Sequence, residues 1–173
     1  VGRSSSTRIV VSDTSCVIDL RKGQLLDAIL ALPYTIAMPQ PLFDDELLSL
    51  KDEEKERLIE SGLQIFDVDE AGVSAARAYR RSFKRLRLYD CFALVAAERK
   101  WKNSILLTGD RNLKKVAIDR GIKAHGVLWA TDQLYEHKLC SAQTLENALH
   151  LFLEDSLVFI PDKLIHARLR RYR

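Results

Sequence analysis

Little in this sequence can cross-link the chain, and nothing in it suits a membrane. Only three cysteines occur, Cys16, Cys91 and Cys140, an odd number with no C-x-x-C pair. That disfavours a zinc site or a disulfide framework and makes a reducing cytoplasm the expected compartment. No apolar run approaches the ~20 residues a spanning helix needs, so no membrane contact is expected. The opening "VGRSSSTR" has no apolar signal-peptide region; residues 1–7 are expected to be a disordered arm or an expression remnant. The four histidines, His125, His137, His150 and His166, are scattered. None has the carboxylate and nucleophile neighbours of a hydrolytic triad.

The 173 residues, 47% hydrophobic and 29% charged, suit a single globular domain. A chain of this length buries roughly two-thirds of its unfolded surface and needs no staple to fold. The net charge of +3 says little, but its distribution says more. Residues 44–60 hold eight acids, Asp44, Asp45 and Glu46 among them, against three bases. Residues 77–87 hold six bases and no acid: Arg77, Arg80, Arg81, Lys84, Arg85 and Arg87. The final segment 163–173 carries Lys163, Arg168, Arg170, Arg171 and Arg173, again without an acid. Such segregation suits a surface that tracks a phosphate backbone, although a solvated helix face reads the same way.

Strands and helices alternate along the chain. "RIVVSD", "YTIAM", "LQIFDV", "SILLT" and "AHGVLW" read as strands. Between them "TSCVIDL" and "QLLDAILAL", "LFDDELLSL", "KDEEKERLIE", "EAGVSAARAYRRSF", "DCFALVAAERKW" and "RNLKKVAIDRG" read as helices. Helices alone follow. This predicts a parallel sheet covered on both faces, with a domain over 8–130 and a helical extension over 131–173.

Four carboxylates stand where such a sheet builds its sites, outside the C-terminal strand ends. Asp13 follows "IVVS" and Asp110 follows "ILLTG". Asp90 and Glu46 read as lying near helix starts, where negative charge is favoured. Each acid alone could be a helix cap or a solvated residue; their joint placement points to a shared cation. Two carboxylates ~4 Å apart repel by about 4 kcal/mol at an effective dielectric near 20, and a divalent ion reverses that term. Oxygen ligands without His or Cys suit Mg²⁺ or Mn²⁺. A phosphatase with Asp13 as nucleophile would want a second Asp where the chain has Ser15, and a phosphoacceptor domain would want paired acids at the first strand.

"VSDTSCVIDL", "MPQPLFDDELL", "YDCFALVAAERKW" and "ILLTGDRNL" resemble, in this order, the four acidic motifs of PIN domains, the family that includes the VapC toxins. The resemblance implies a three-layer α/β/α fold with about five parallel strands, and Mg²⁺- or Mn²⁺-dependent cleavage of RNA. It places the four acids on Asp13, Glu46 (with Asp45 as the alternative), Asp90 and Asp110. Ser15 and Thr108 match hydroxyl positions that support the metal ligands. Many members carry a further acid where this chain has Asn112, which bears on a second metal ion. The expected protein is an endoribonuclease toxin of a type II toxin–antitoxin pair, with a small antitoxin as partner and homodimerisation left open. The competing expectation is a PIN fold without turnover that binds RNA or protein.

Overall fold

A computed structural model describes residues 7–172; most of the expected N-terminal arm lies outside the described residues. Strand β1 (Arg8–Ser12) leads into helices α1 (Thr14–Lys22) and α2 (Leu26–Ile29). Then come β2 (Tyr34–Pro39), α3 (Gln40–Asp45), α4 (Asp52–Glu60), β3 (Gln64–Phe66) and α5 (Glu70–Ser82). Helix α6 (Leu88–Val95) runs on through a π-helical stretch, Ala96–Lys100, to β4 (Ile105–Leu107) and α7 (Arg111–Asp119). The chain closes with β5 (Lys123–His125), α8 (Val127–Glu136), α9 (Ala142–Glu154) and α10 (Asp162–Arg171).

The five strands form one sheet in the order β3-β2-β1-β4-β5, and every pairing is parallel. Helices flank it, giving the three-layer α/β/α arrangement. The chain builds outward from β1 to β3, then returns to the other side of β1 for β4. That reversal puts the topological switch point between β1 and β4, where a crevice forms at the carboxyl ends of the strands. Val10, Val11, Leu106 and Leu107 are fully buried at this centre. The apolar "ILL" and "IVV" runs are thus strands covered on both faces, as parallel sheets require.

Two of the boundaries that differ from the sequence reading bear on the functional residues. Strand β5 stops at His125, and Val127, Leu128 and Trp129 open α8 instead. Gly126 breaks the strand, and the apolar residues after it serve a buried helix face: Val127, Leu128 and Ala130 are all buried. Helix α8 therefore spans residue 130, where the core had been expected to give way to the extension. Helix α5 ends at Ser82, so Lys84, Arg85 and Arg87 lie in the turn before α6.

The C-terminal helices pack onto the rest of the domain. A methyl group at Gly23 would sit 2.8 Å from the Phe152 ring, so the turn after α1 lies directly against α9. Helix α10 is held by Asp132 of α8, which meets Arg168 at 2.9 Å, Arg171 at 3.0 Å and the Tyr172 hydroxyl at 2.8 Å. The C-terminal basic residues Arg168 and Arg171 therefore serve the fold and are not a free cationic arm. Among the described residues no helix is long and apolar enough to cross a membrane.

Candidate active site

Strand β1 ends in Ser12, and the next residue, Asp13, turns the chain into α1. Its carboxylate caps that helix by accepting from the Cys16 N–H at 3.1 Å. The Ser15 hydroxyl donates to the same carboxylate at 2.8 Å. The Thr108 hydroxyl, from the end of β4, donates to it as well. Adjacent parallel strands thus bring together residues 95 apart in sequence. Asp13 is almost fully buried, at 3% exposure. Its carboxyl stands raised, at about 6: burial is the largest cause, the hydrogen bonds from Thr108, Cys16 and Ser15 oppose it, and the charge of Asp90 adds to it.

Asp110 lies on the same sheet edge. It caps α7 by accepting from the Leu113 N–H at 2.8 Å, and its own N–H donates to Thr108 Oγ1 at 3.0 Å. Between them, the Gly109 N–H donates to Ser15 Oγ at 2.8 Å. A Cβ at Gly109 would stand 3.0 Å from that oxygen, so a side chain here crowds Ser15. Ser15 and Thr108 tie the two strand-end acids into one unit.

Asp90 is buried at 4% exposure on the first turn of α6. It accepts from the Arg87 N–H at 2.7 Å and from the Arg87 guanidinium at 3.2 Å. The same guanidinium reaches Glu46 at 2.9 Å. The other Glu46 oxygen accepts from Thr14 Oγ1 at 2.7 Å, which joins it to the start of α1. Arg87 is held charged by Asp90, Glu46 and Asp110 against the opposing effect of burial. Glu46 itself caps the end of α3, which corrects its expected position near a helix start. It stands at the C-terminal end of its own helix and is held from the start of α1 by Thr14.

Thr108 thus joins Asp13 to Asp110, and Arg87 joins Asp90 to Glu46; Asp13 and Asp110 are also the helix caps of the alternative reading, while Asp90 lies within the first turn of α6 and accepts from the N–H of the cap residue, Arg87. The two roles are compatible, since a carboxylate has two oxygens with about four lone-pair sites. Asp45 is exposed and accepts from the Tyr89 hydroxyl at 2.9 Å. Asn112 is exposed on the first turn of α7. Arg77, Arg80 and Arg81 are exposed on α5, and Lys84 and Arg85 are exposed in the turn that follows it. Sequence reasoning placed Arg87 among the RNA contacts and missed its place between Glu46 and Asp90. Its spacing of three residues before Asp90, at a helix start, was the available signal. Thr14 was missed too. Cys16 and Cys91 are buried, and burial pushes both thiols up, which disfavours reactivity.

Among the described residues no three His, Cys, Asp or Glu side chains stand in a ready metal-binding geometry. The donor chemistry nevertheless fits a hard divalent cation. Every donor is a carboxylate or hydroxyl oxygen, and buried Asp13 feels the charge of Asp90.

An α/β/α sandwich with acids at its topological switch point is an arrangement that nucleases use, among other enzymes. The family DUF3368, described as a PIN domain, matches residues 9–173, and the chain belongs to this PIN-domain family. The match includes the C-terminal helices. PIN domains are generally nucleases that act on phosphodiester bonds with divalent metal ions. No curated protein sequence matches the chain.

Proposed function

We propose that this protein is a metal-dependent endoribonuclease. The observation that carries the proposal is that Thr108 ties buried Asp13 to Asp110, while Arg87 joins Glu46 to Asp90, whose charge is felt at Asp13. Asp13, Asp90 and Asp110 would hold Mg²⁺ or Mn²⁺. When bound, such an ion lowers the pKa of water and neutralises charge developing on phosphorus. Glu46, held by Thr14, orients the attacking water. Ser15 and Thr108 keep the Asp13 oxygens fixed, so little reorganisation precedes reaction. Arg87 balances Glu46 and Asp90. Arg77, Arg80, Arg81, Lys84 and Arg85 contact the substrate backbone at the α5–α6 corner. The toxin role within a toxin–antitoxin pair, with a small antitoxin as partner, rests on the likeness of the four motifs to VapC toxins.

The test is cleavage of a labelled RNA panel with and without Mg²⁺ or Mn²⁺. Cleavage that needs the cation supports the proposal; no cleavage of any RNA rejects it. The second reading, a PIN fold that binds without turnover, draws on one observation, the Arg87 guanidinium lying across Glu46 and Asp90. A protein of that kind would bind RNA, leave it intact and gain no thermal stability from the cation.

A further inference from the structure

We infer that the groove between α1, the β4–α7 turn and α10 is a nucleotide-binding subsite for single-stranded RNA running on from the acid site; the inference rests on the nuclease reading above.

The groove begins at that site. Ser15, Thr108 and Gly109 line its inner end, and the first two hold the Asp13 carboxylate. Its volume of about 590 Å³ is in the range that takes a small ligand. A strand cleaved at Asp13 must extend on both sides of the scissile phosphate. The α5–α6 corner adjoins the acid site through Arg87, and this groove adjoins it through Ser15 and Thr108.

Its lining carries the two chemistries that hold single strands, cations for phosphates and rings for bases. Four cations line it, Lys22, Arg111, Lys114 and Arg168, against a single acid, Asp19. Lys22 is paired with Asp155 at 2.9 Å and Arg168 with Asp132. Arg111 and Lys114 have no ion-pair partner among the described residues. Both lie at the start of α7, the helix that Asp110 caps. The neighbourhood is electropositive, since Lys114 and Lys123 add to burial in holding His125 below its ordinary pKa. For the bases, His125 and Trp129 form a stacked pair with centroids 5.1 Å apart. Phe159, on the segment before α10, also lines the groove, with 73% of its surface in water. A ring left so exposed beside unpaired cations suits a base laid on its face better than it suits packing within the domain.

The test is fluorescence anisotropy of a labelled single-stranded oligoribonucleotide in EDTA, on the full chain, with Arg111→Ala plus Lys114→Ala and, separately, Phe159→Ala. All three residues lie on the groove wall, and unchanged far-UV circular dichroism certifies the fold. The double variant is expected to weaken binding at least fivefold and to flatten the salt dependence by about 0.7 for each phosphate it no longer neutralises. Phe159→Ala is expected to weaken binding about fivefold or more with the salt slope intact, as removal of one stacked base predicts. Wild-type affinity and slope in both variants would overturn the subsite, and so would a wild-type protein that binds no oligonucleotide. Unaltered RNA binding with abolished self-association in sedimentation would instead give the groove to a second copy of the chain. Cleavage by the wild type is read separately, so the nuclease reading can stand while the subsite falls.

Discussion

The Arg87 guanidinium lies 2.9 Å from Glu46 and 3.2 Å from Asp90, one cation shared by acids from two different parts of the chain. Arg87 thus performs, without an ion, part of the neutralisation that a divalent cation would perform. Arg87→Gln should therefore lower the melting temperature in EDTA and enlarge the stabilisation gained from Mg²⁺ or Mn²⁺. Differential scanning fluorimetry with and without cation reads both changes. A cation response equal to that of the wild type would show that Arg87 is merely a surface partner of Glu46.

Asp132 fixes the C-terminal helix to α8. Asp132→Ala leaves Arg168, Arg171 and the Tyr172 hydroxyl without their shared acceptor. Removing one partner of a buried pair costs about 3–5 kcal/mol, and the partial exposure of Arg171 puts this case near or below the lower end. A loss of ~3 kcal/mol corresponds to a fall of about 6–12 °C for a domain of this size. Hydrogen exchange should accelerate first in residues 162–172. Uniform acceleration over the whole domain would mean that α10 is not held by this network.

Asp19, half-buried on α1, should make stability depend on pH. Burial pushes its carboxyl up to about 6, Lys22 pulls it down and Asp155 pushes it up. An unfolded Asp titrates near ~3.9, so the folded state binds the proton more tightly. This contribution is fully present below the unfolded value and is lost as pH rises through 6. Asp19→Asn should therefore raise the melting temperature most above pH 7, with the gain shrinking towards pH 4. A gain independent of pH would assign the effect to packing.

Much of this arrangement was legible in the sequence, for physical reasons. Strands β1 and β4 are short apolar runs that end in an acid or a "TGD" turn, and such runs suit only the middle of a parallel sheet. Asp13 and Asp110 were readable because strand ends fix where a side chain emerges. Glu46 was readable as one of the four acids but not in its position, since α3 ends at Asp45 and Glu46 stands at its C-terminal cap. The role of Arg87 was hidden by composition. Within a run of six bases nothing local separates the one that turns into the acid site from those that face water. The groove beside α10 was hidden for another reason. It is made by elements from three distant parts of the chain, and no spacing along the sequence encodes their meeting.

The central claim is that buried Asp13 and its companions form a metal-dependent phosphodiesterase site. The most direct measurement is the rate at which the wild type and Asp13→Asn cleave a labelled single-stranded RNA in Mg²⁺ or Mn²⁺. Both proteins are first matched for fold by circular dichroism. Loss of a preorganised electrostatic group costs about 10²–10³ in rate, so the variant is expected to fall by at least that factor while still binding the RNA. Cleavage by Asp13→Asn at the wild-type rate, or wild-type cleavage undiminished in EDTA, would contradict the account.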